Sequence, residues 1–102
     1  MNTPIYDFLT QYSSSDTLRC HMPGHKGRSF SGAMHELSRL DITEIKGADS
    51  LFEADGIIAQ SERNMASLYG SAAAAYSAGG STLCIQAMLA IKKQEGRTVY
   101  AC

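Results

Sequence analysis

Residues 73–102, AAAYSAGGSTLCIQAMLAIKKQEGRTVYAC, decide the fold of this chain. The small-residue run Ala73 to Ala78 suits a short buried strand, and Gly79-Gly80-Ser81-Thr82 suits a tight turn. From Leu83 to Glu95 the apolar residues Leu83, Ala87, Met88 and Ile91 recur at helical spacing. Lys92 and Lys93 favour the negative end of that helix, and Gly96 stops it. Thr98 to Cys102 then opens a second strand. Strand, helix and strand make a βαβ unit, whose crossover implies a parallel sheet and an α/β fold class. Parallel sheets are buried on both faces, so two strands alone do not complete one, and most of the fold is expected outside these residues.

The turn between the first strand and its helix has chemistry of its own. Gly79 and Gly80 expose backbone N–H groups, Ser81 and Thr82 add hydroxyls, and the positive end of the helix lies at the same point, which together make an anion site. The spacing matches neither GxxxxGK[ST] nor GxGxxG, so the turn does not point to a nucleotide. An ordinary N-cap turn has the same composition.

Working toward the N-terminus, Ile58, Met65, Leu68 and Tyr69 mark a helix over residues 57–69, with Gly70 at the place of a left-handed C-cap. Ser31 to Leu40 forms another short helix, while Asp41 to Glu44 and Lys46 to Asp49 read as turns and extended connections. Asp41, Glu44 and Asp49 are candidate acid/base groups for which capping and turn roles are commoner. Thr3-Pro4 is a helix start, followed by Ile5, Phe8, Leu9 and Tyr12 at helical spacing and ended by Ser13-Ser14-Ser15-Asp16.

Between these helices lies CHMPGHKG, Cys20 to Gly27. His21 and His25 are four apart, the spacing of two metal ligands on one helix face, but Pro23-Gly24 between them breaks any helix. Metal binding is therefore not expected. Two imidazoles, Lys26 and several backbone donors in a glycine-flanked loop suit the lining of a polar site, with a solvated loop as the plain alternative.

Composition narrows the classes further. In 102 residues, 44% hydrophobic and 19% charged, there is room for one small domain and no sign of disorder. Nine basic and ten acidic residues are scattered without runs, so no stripe exists to hold nucleic acid or anionic lipid. The apolar run around Ala72 to Ala78 falls well short of the ~20 residues that span a bilayer. Met1 to Ser15 does not read as a signal peptide, and the cytoplasm is the expected compartment. Cys20, Cys84 and Cys102, odd in number and outside any CxxC pair, fit buried or incidental reduced thiols better than disulfides or zinc ligands.

The order of the pieces carries a resemblance. HMPGHKG at 21–27, DITE at 41–44, Asp49-Ser50-Leu51, Gly56-Ile57-Ile58 and AGGST at 78–82 follow one another as in the start of the major domain of the ornithine/lysine/arginine decarboxylases. HxPGHKG is the specific element, and Gly79 stands where that family more often has a larger polar residue. The resemblance implies an α/β, aspartate-aminotransferase-like (fold type I) domain, of which these residues are the N-terminal portion: a helical arm at 3–13, a polar loop at 20–27 and the βαβ unit at about 73–102. It implies pyridoxal 5'-phosphate as cofactor, with Gly80, Ser81 and Thr82 at its phosphate. It further implies decarboxylation of lysine, arginine or ornithine to an amine and CO2, as in polyamine biosynthesis, by a homodimer or higher homo-oligomer.

In the family the Schiff-base lysine, the aspartate at the pyridinium nitrogen and the histidine stacked on the ring all come later than residue 102. No catalytic residue is thus assigned here. Lys26 is expected at the entrance with His21 and His25, not as the Schiff-base residue. The fragment alone is expected to be inactive. Two other classes stay open: a small anion-binding or interaction module without catalysis, and another fold type I enzyme such as an aminotransferase, since a phosphate loop does not choose the reaction.

Overall fold

The computed structural model of the chain describes residues 2–28 and 32–98. These form four α-helices: α1 Pro4–Ser13, α2 Ala33–Leu40, α3 Ile57–Tyr69 and α4 Gly80–Gln94. α1 packs against α2 and α3.

α1 begins at Pro4, whose preset φ suits the first helical position and whose missing N–H costs nothing there. Thr3 does not cap it in the ordinary way. Its hydroxyl donates to Asp7 Oδ1 at 2.8 Å and its N–H to Asp7 Oδ2 at 3.2 Å, so the first-turn acid reaches back over the helix start. At the other end the hydroxyls of Ser13 and Ser14 turn onto the Thr10 carbonyl and that of Ser15 onto the Tyr12 carbonyl. Such serine bonds compete with the helical ladder and end it.

α3 covers the expected residues and stops as Gly70 predicts. Gly70 has φ 63° and ψ 29°, and the Ser71 N–H reaches back to the Ala66 carbonyl at 2.9 Å. Its start is held from outside the helix by Asp49. That carboxylate accepts backbone N–H bonds from Gly56 at 2.8 Å and Ile58 at 2.9 Å through Oδ2, and from Ser50 at 2.8 Å and Asp55 at 3.2 Å through Oδ1. Partial desolvation opposes its ionisation, but the four N–H donors outweigh this and hold its carboxyl well below the usual range. Asp49 is therefore a capping group, the commoner of its two expected roles.

The βαβ unit is not displayed by the described residues. Among the described residues there is no strand, and Ala73 to Ala78 has no ladder. A strand exists only through a partner's hydrogen bonds, and of the second expected strand, Thr98 to Cys102, residues 99–102 lie outside the described residues. The segment instead takes its bonds from α3: the Tyr76 N–H donates to Glu62 Oε1 at 2.8 Å, and Tyr76 Oη shares a hydrogen bond with Ser61 Oγ at 2.8 Å. The α/β class is thus not displayed by the described residues, which are helical.

α4 also differs from expectation, starting at Gly80 rather than Leu83, so that Ser81 and Thr82 lie in its first turn. Its C-terminus runs as expected, with Lys92 and Lys93 in the last turn and Gly96 at φ 71° just beyond. The helix touches none of the other three, and Leu83, Ile85, Met88, Leu89 and Ile91 are all exposed. No apolar side chain is fully withdrawn from water among the described residues. The radius of gyration of 17.6 Å exceeds the roughly 13 Å of a compact chain of about 100 residues.

Candidate functional site

The loop Cys20–Arg28 is irregular but densely hydrogen-bonded. Each histidine is tied at both ring nitrogens, and to different partners. His21 Nε2 lies 2.8 Å from Tyr12 Oη, and its Nδ1 bonds the Met22 carbonyl. A carbonyl only accepts, so the His21 proton sits on Nδ1 and the Tyr12 hydroxyl donates to Nε2. His25 has the opposite arrangement. The Gly27 N–H donates to its Nδ1 at 3.1 Å, which leaves the proton on Nε2, 3.1 Å from Asp41 Oδ2.

Local chemistry explains why the loop folds this way. Lys26 has φ 54°, in the left-handed region that side chains seldom occupy, and Gly27 follows at φ 75°. The Lys26 N–H closes a turn onto the Pro23 carbonyl at 3.1 Å, and its ammonium donates to the His21 carbonyl. Arg19 lies on the other side, its guanidinium carbon 5.0 Å from the centre of the Tyr12 ring and its Nη2 donating to the Arg39 carbonyl at 2.8 Å. A Cβ on Gly27 would come within 2.3 Å of Arg19 Nη1, so a side chain there would displace the guanidinium. Phe8 stacks beside Tyr12 with ring centroids 6.2 Å apart.

The structure thus brings together His21, His25 and Lys26 and adds three residues not singled out in the sequence as their partners: Tyr12, Arg19 and Asp41. Tyr12 read only as an apolar helix position, and Arg19 sits outside every motif. Asp41 belongs to DITE, but a separation of sixteen positions hides its pairing with His25. His21 and His25 turn to separate partners rather than toward one point, consistent with the argument that Pro23-Gly24 separates them.

Gly80, Ser81 and Thr82 form a second, separate feature. Gly80 has φ 67°, and a Cβ placed there would meet nothing within 4 Å. Ser81 and Thr82 are exposed, and no hydrogen bond among the described residues links them to the loop at 20–28. At Gly79 a Cβ would come within 2.6 Å of the Leu83 side chain, so the glycine found there suits the local packing. Of the cysteines, Cys20 and Cys84 are free and exposed, incidental rather than buried thiols, and Cys102 lies outside the described residues. No helix among the described residues is long and apolar enough to cross a membrane.

These two features, a glycine-flanked histidine loop and an open helix-start turn downstream of it, are arranged along the chain as in one family. The model of the Orn/Lys/Arg decarboxylase major domain matches residues 3–101, and the chain belongs to that family. It is similar to the uncharacterised protein YaaO of Bacillus subtilis (strain 168), with 32% identity over 104 residues. The match takes in 97% of this chain and 22% of that relative, so the chain spans less than a quarter of the relative's length. No solved structure matches the chain.

Proposed function

We propose that this chain is the N-terminal part of a longer pyridoxal 5'-phosphate-dependent enzyme that decarboxylates a basic amino acid, lysine, arginine or ornithine, to an amine and CO2. The observation that carries the proposal is the family match over residues 3–101. The turn at the start of α4 fits the cofactor's phosphate. The open space over Gly80 leaves room for a ligand against the backbone, and a helix start offers N–H groups with no partner within the helix. Gly80, Ser81 and Thr82 would hold the phosphate there through N–H and hydroxyl donors, with the positive end of the α4 dipole behind them. The bound cofactor supplies the electron sink that makes loss of an α-carboxylate possible. His21, His25 and Lys26 would line the approach. Strands, an α/β type I architecture and a homodimeric or larger assembly belong to the same proposal, with the rest of the major domain providing what α4 packs on.

The test is an assay of the longer enzyme with pyridoxal phosphate and each of the three amino acids. Release of the matching amine and one CO2 per turnover supports the proposal. Amino-group transfer to a keto acid without CO2 would assign the enzyme to another reaction of the same cofactor.

A further inference from the structure

Beside the loop is an open cleft whose wall includes Arg19, His25, Lys26 and Arg28, with Asp16 as an opposing acid. Its positive charges exceed its negative ones. We propose that this cleft is an anion site in which Lys26 is the residue that meets the ligand and His25 is a positioning residue that holds Lys26 in place. The ligand is a carboxylate or phosphate group. The proposal deepens the decarboxylase reading by naming what the HMPGHKG loop binds, and it rests on that reading only for the enzyme in which it is tested.

The two histidines are poor choices for the contact because each already has both nitrogens engaged. Lys26 differs. Its ammonium has three N–H donors, and its one hydrogen bond within the described residues, to the His21 carbonyl, leaves donors for a ligand. The side chain is exposed and lies on the cleft wall.

Lys26 reaches this place only because its backbone is held at φ 54°, which a lysine does not choose by itself. The hold comes from its two neighbours. Gly27 donates its N–H to His25 Nδ1, closing the loop over Lys26, and His25 Nε2–H fastens that closed loop to Asp41 at the end of α2. Without the imidazole the loop loses both its local closure and its anchor. The Lys26 backbone would then relax to ordinary φ and carry the ammonium away from Arg19 and Arg28.

Competitive acylation of the longer enzyme, without cofactor, tests this by reading the modification rate of each lysine by mass spectrometry. Inorganic phosphate and acetate are the two probes, and the one that protects at lower concentration identifies the phosphate or the carboxylate source. Lys26 is expected to be acylated severalfold more slowly with the effective anion present, while Lys46, Lys92 and Lys93 are unaffected. In His25→Ala and Asp41→Ala the protection is expected to disappear with the thermal midpoint close to that of the parent. His25→Gln, whose amide N–H can still reach Asp41, is expected to recover part of it. Equal Lys26 rates with and without both anions would overturn the site. Full protection persisting in His25→Ala and Asp41→Ala would overturn the positioning role. Should a variant fail to fold, selective nitrogen NMR of His25 in the parent decides: a proton on Nε2 is expected, and a proton on Nδ1 contradicts the clip. Labelling needs neither cofactor nor turnover, so its failure leaves the decarboxylase assay standing, and the reverse also holds.

Discussion

His25 and Asp41 are joined across a separation of sixteen positions, the imidazole Nε2 lying 3.1 Å from the carboxylate Oδ2. Because the Gly27 N–H fills Nδ1, the imidazole can donate to Asp41 while remaining neutral. The pair fastens the 20–28 loop to the end of α2, whose C-cap residue is Asp41. Both side chains are partly in water, at 31% and 58% exposure, so the pair contributes geometry more than stability. A double-mutant cycle with His25→Ala and Asp41→Ala in the longer enzyme should give a coupling of about 0.2–1 kcal/mol by urea unfolding. Strictly additive effects would show that the two side chains do not interact.

Asp49 should make α3 sensitive to acid. Its carboxyl titrates below the ordinary range in the folded state, so its contribution is fully present above the unfolded value of about 4 and is lost as pH falls through the depressed folded value. Asp49→Asn keeps an acceptor for some of the four N–H groups but removes the charge. The variant should be less stable than the parent at neutral pH, and the difference should shrink steadily on acidification below about pH 4. A difference independent of pH, measured by urea unfolding from pH 7 to pH 2.5, would assign Asp49 a role unrelated to its charge.

Gly70 tests the C-cap of α3. A Cβ there meets no atom within 4 Å, so any cost of Gly70→Ala comes from the left-handed backbone at φ 63°. That cost is about 1 kcal/mol, and Gly70→Asn, which tolerates the conformation better, should lose less. Equal losses for both would point to a cause other than backbone conformation.

The helices were legible in the sequence because their signals are local. Pro4, the serines after Tyr12, Gly70 and Gly96 act on their own few residues, and each works in the structure as its chemistry requires. The start of α4 is less legible, because Leu83 begins the apolar pattern while the backbone turns helical already at Gly80. Ala73 to Ala78 fits a strand by composition, but a strand is a relationship with a partner, and Tyr76 finds its bonds on Glu62 and Ser61 instead. In the site, residue types were readable and their pairings were not. HMPGHKG announces a polar loop, whereas the Tyr12–His21 and His25–Asp41 bonds depend on how α1 and α2 flank it.

The lack of a fully buried apolar core among the described residues predicts how the chain behaves by itself. With Leu83, Ile85, Met88 and Ile91 of α4 at about half exposure, hydrophobic burial gives little to offset chain entropy. The isolated chain should unfold gradually in urea, with no sharp transition, and should not turn over lysine, arginine or ornithine with pyridoxal phosphate. A steep cooperative transition in a monomer would favour an independent binding module.

In the proposed function, Gly80, Ser81 and Thr82 hold the phosphate of pyridoxal 5'-phosphate. The test is to titrate the cofactor into the longer enzyme and its Ser81→Ala, Thr82→Ala and double variants, with unfolding followed in parallel. A lost hydrogen bond to a charged group costs roughly 1.5–3 kcal/mol, so each single variant should bind the cofactor about ten- to a hundredfold more weakly. Unchanged cofactor affinity in all three folded variants, whatever their stability, would contradict this role and leave Ser81 and Thr82 as residues of a helix start alone.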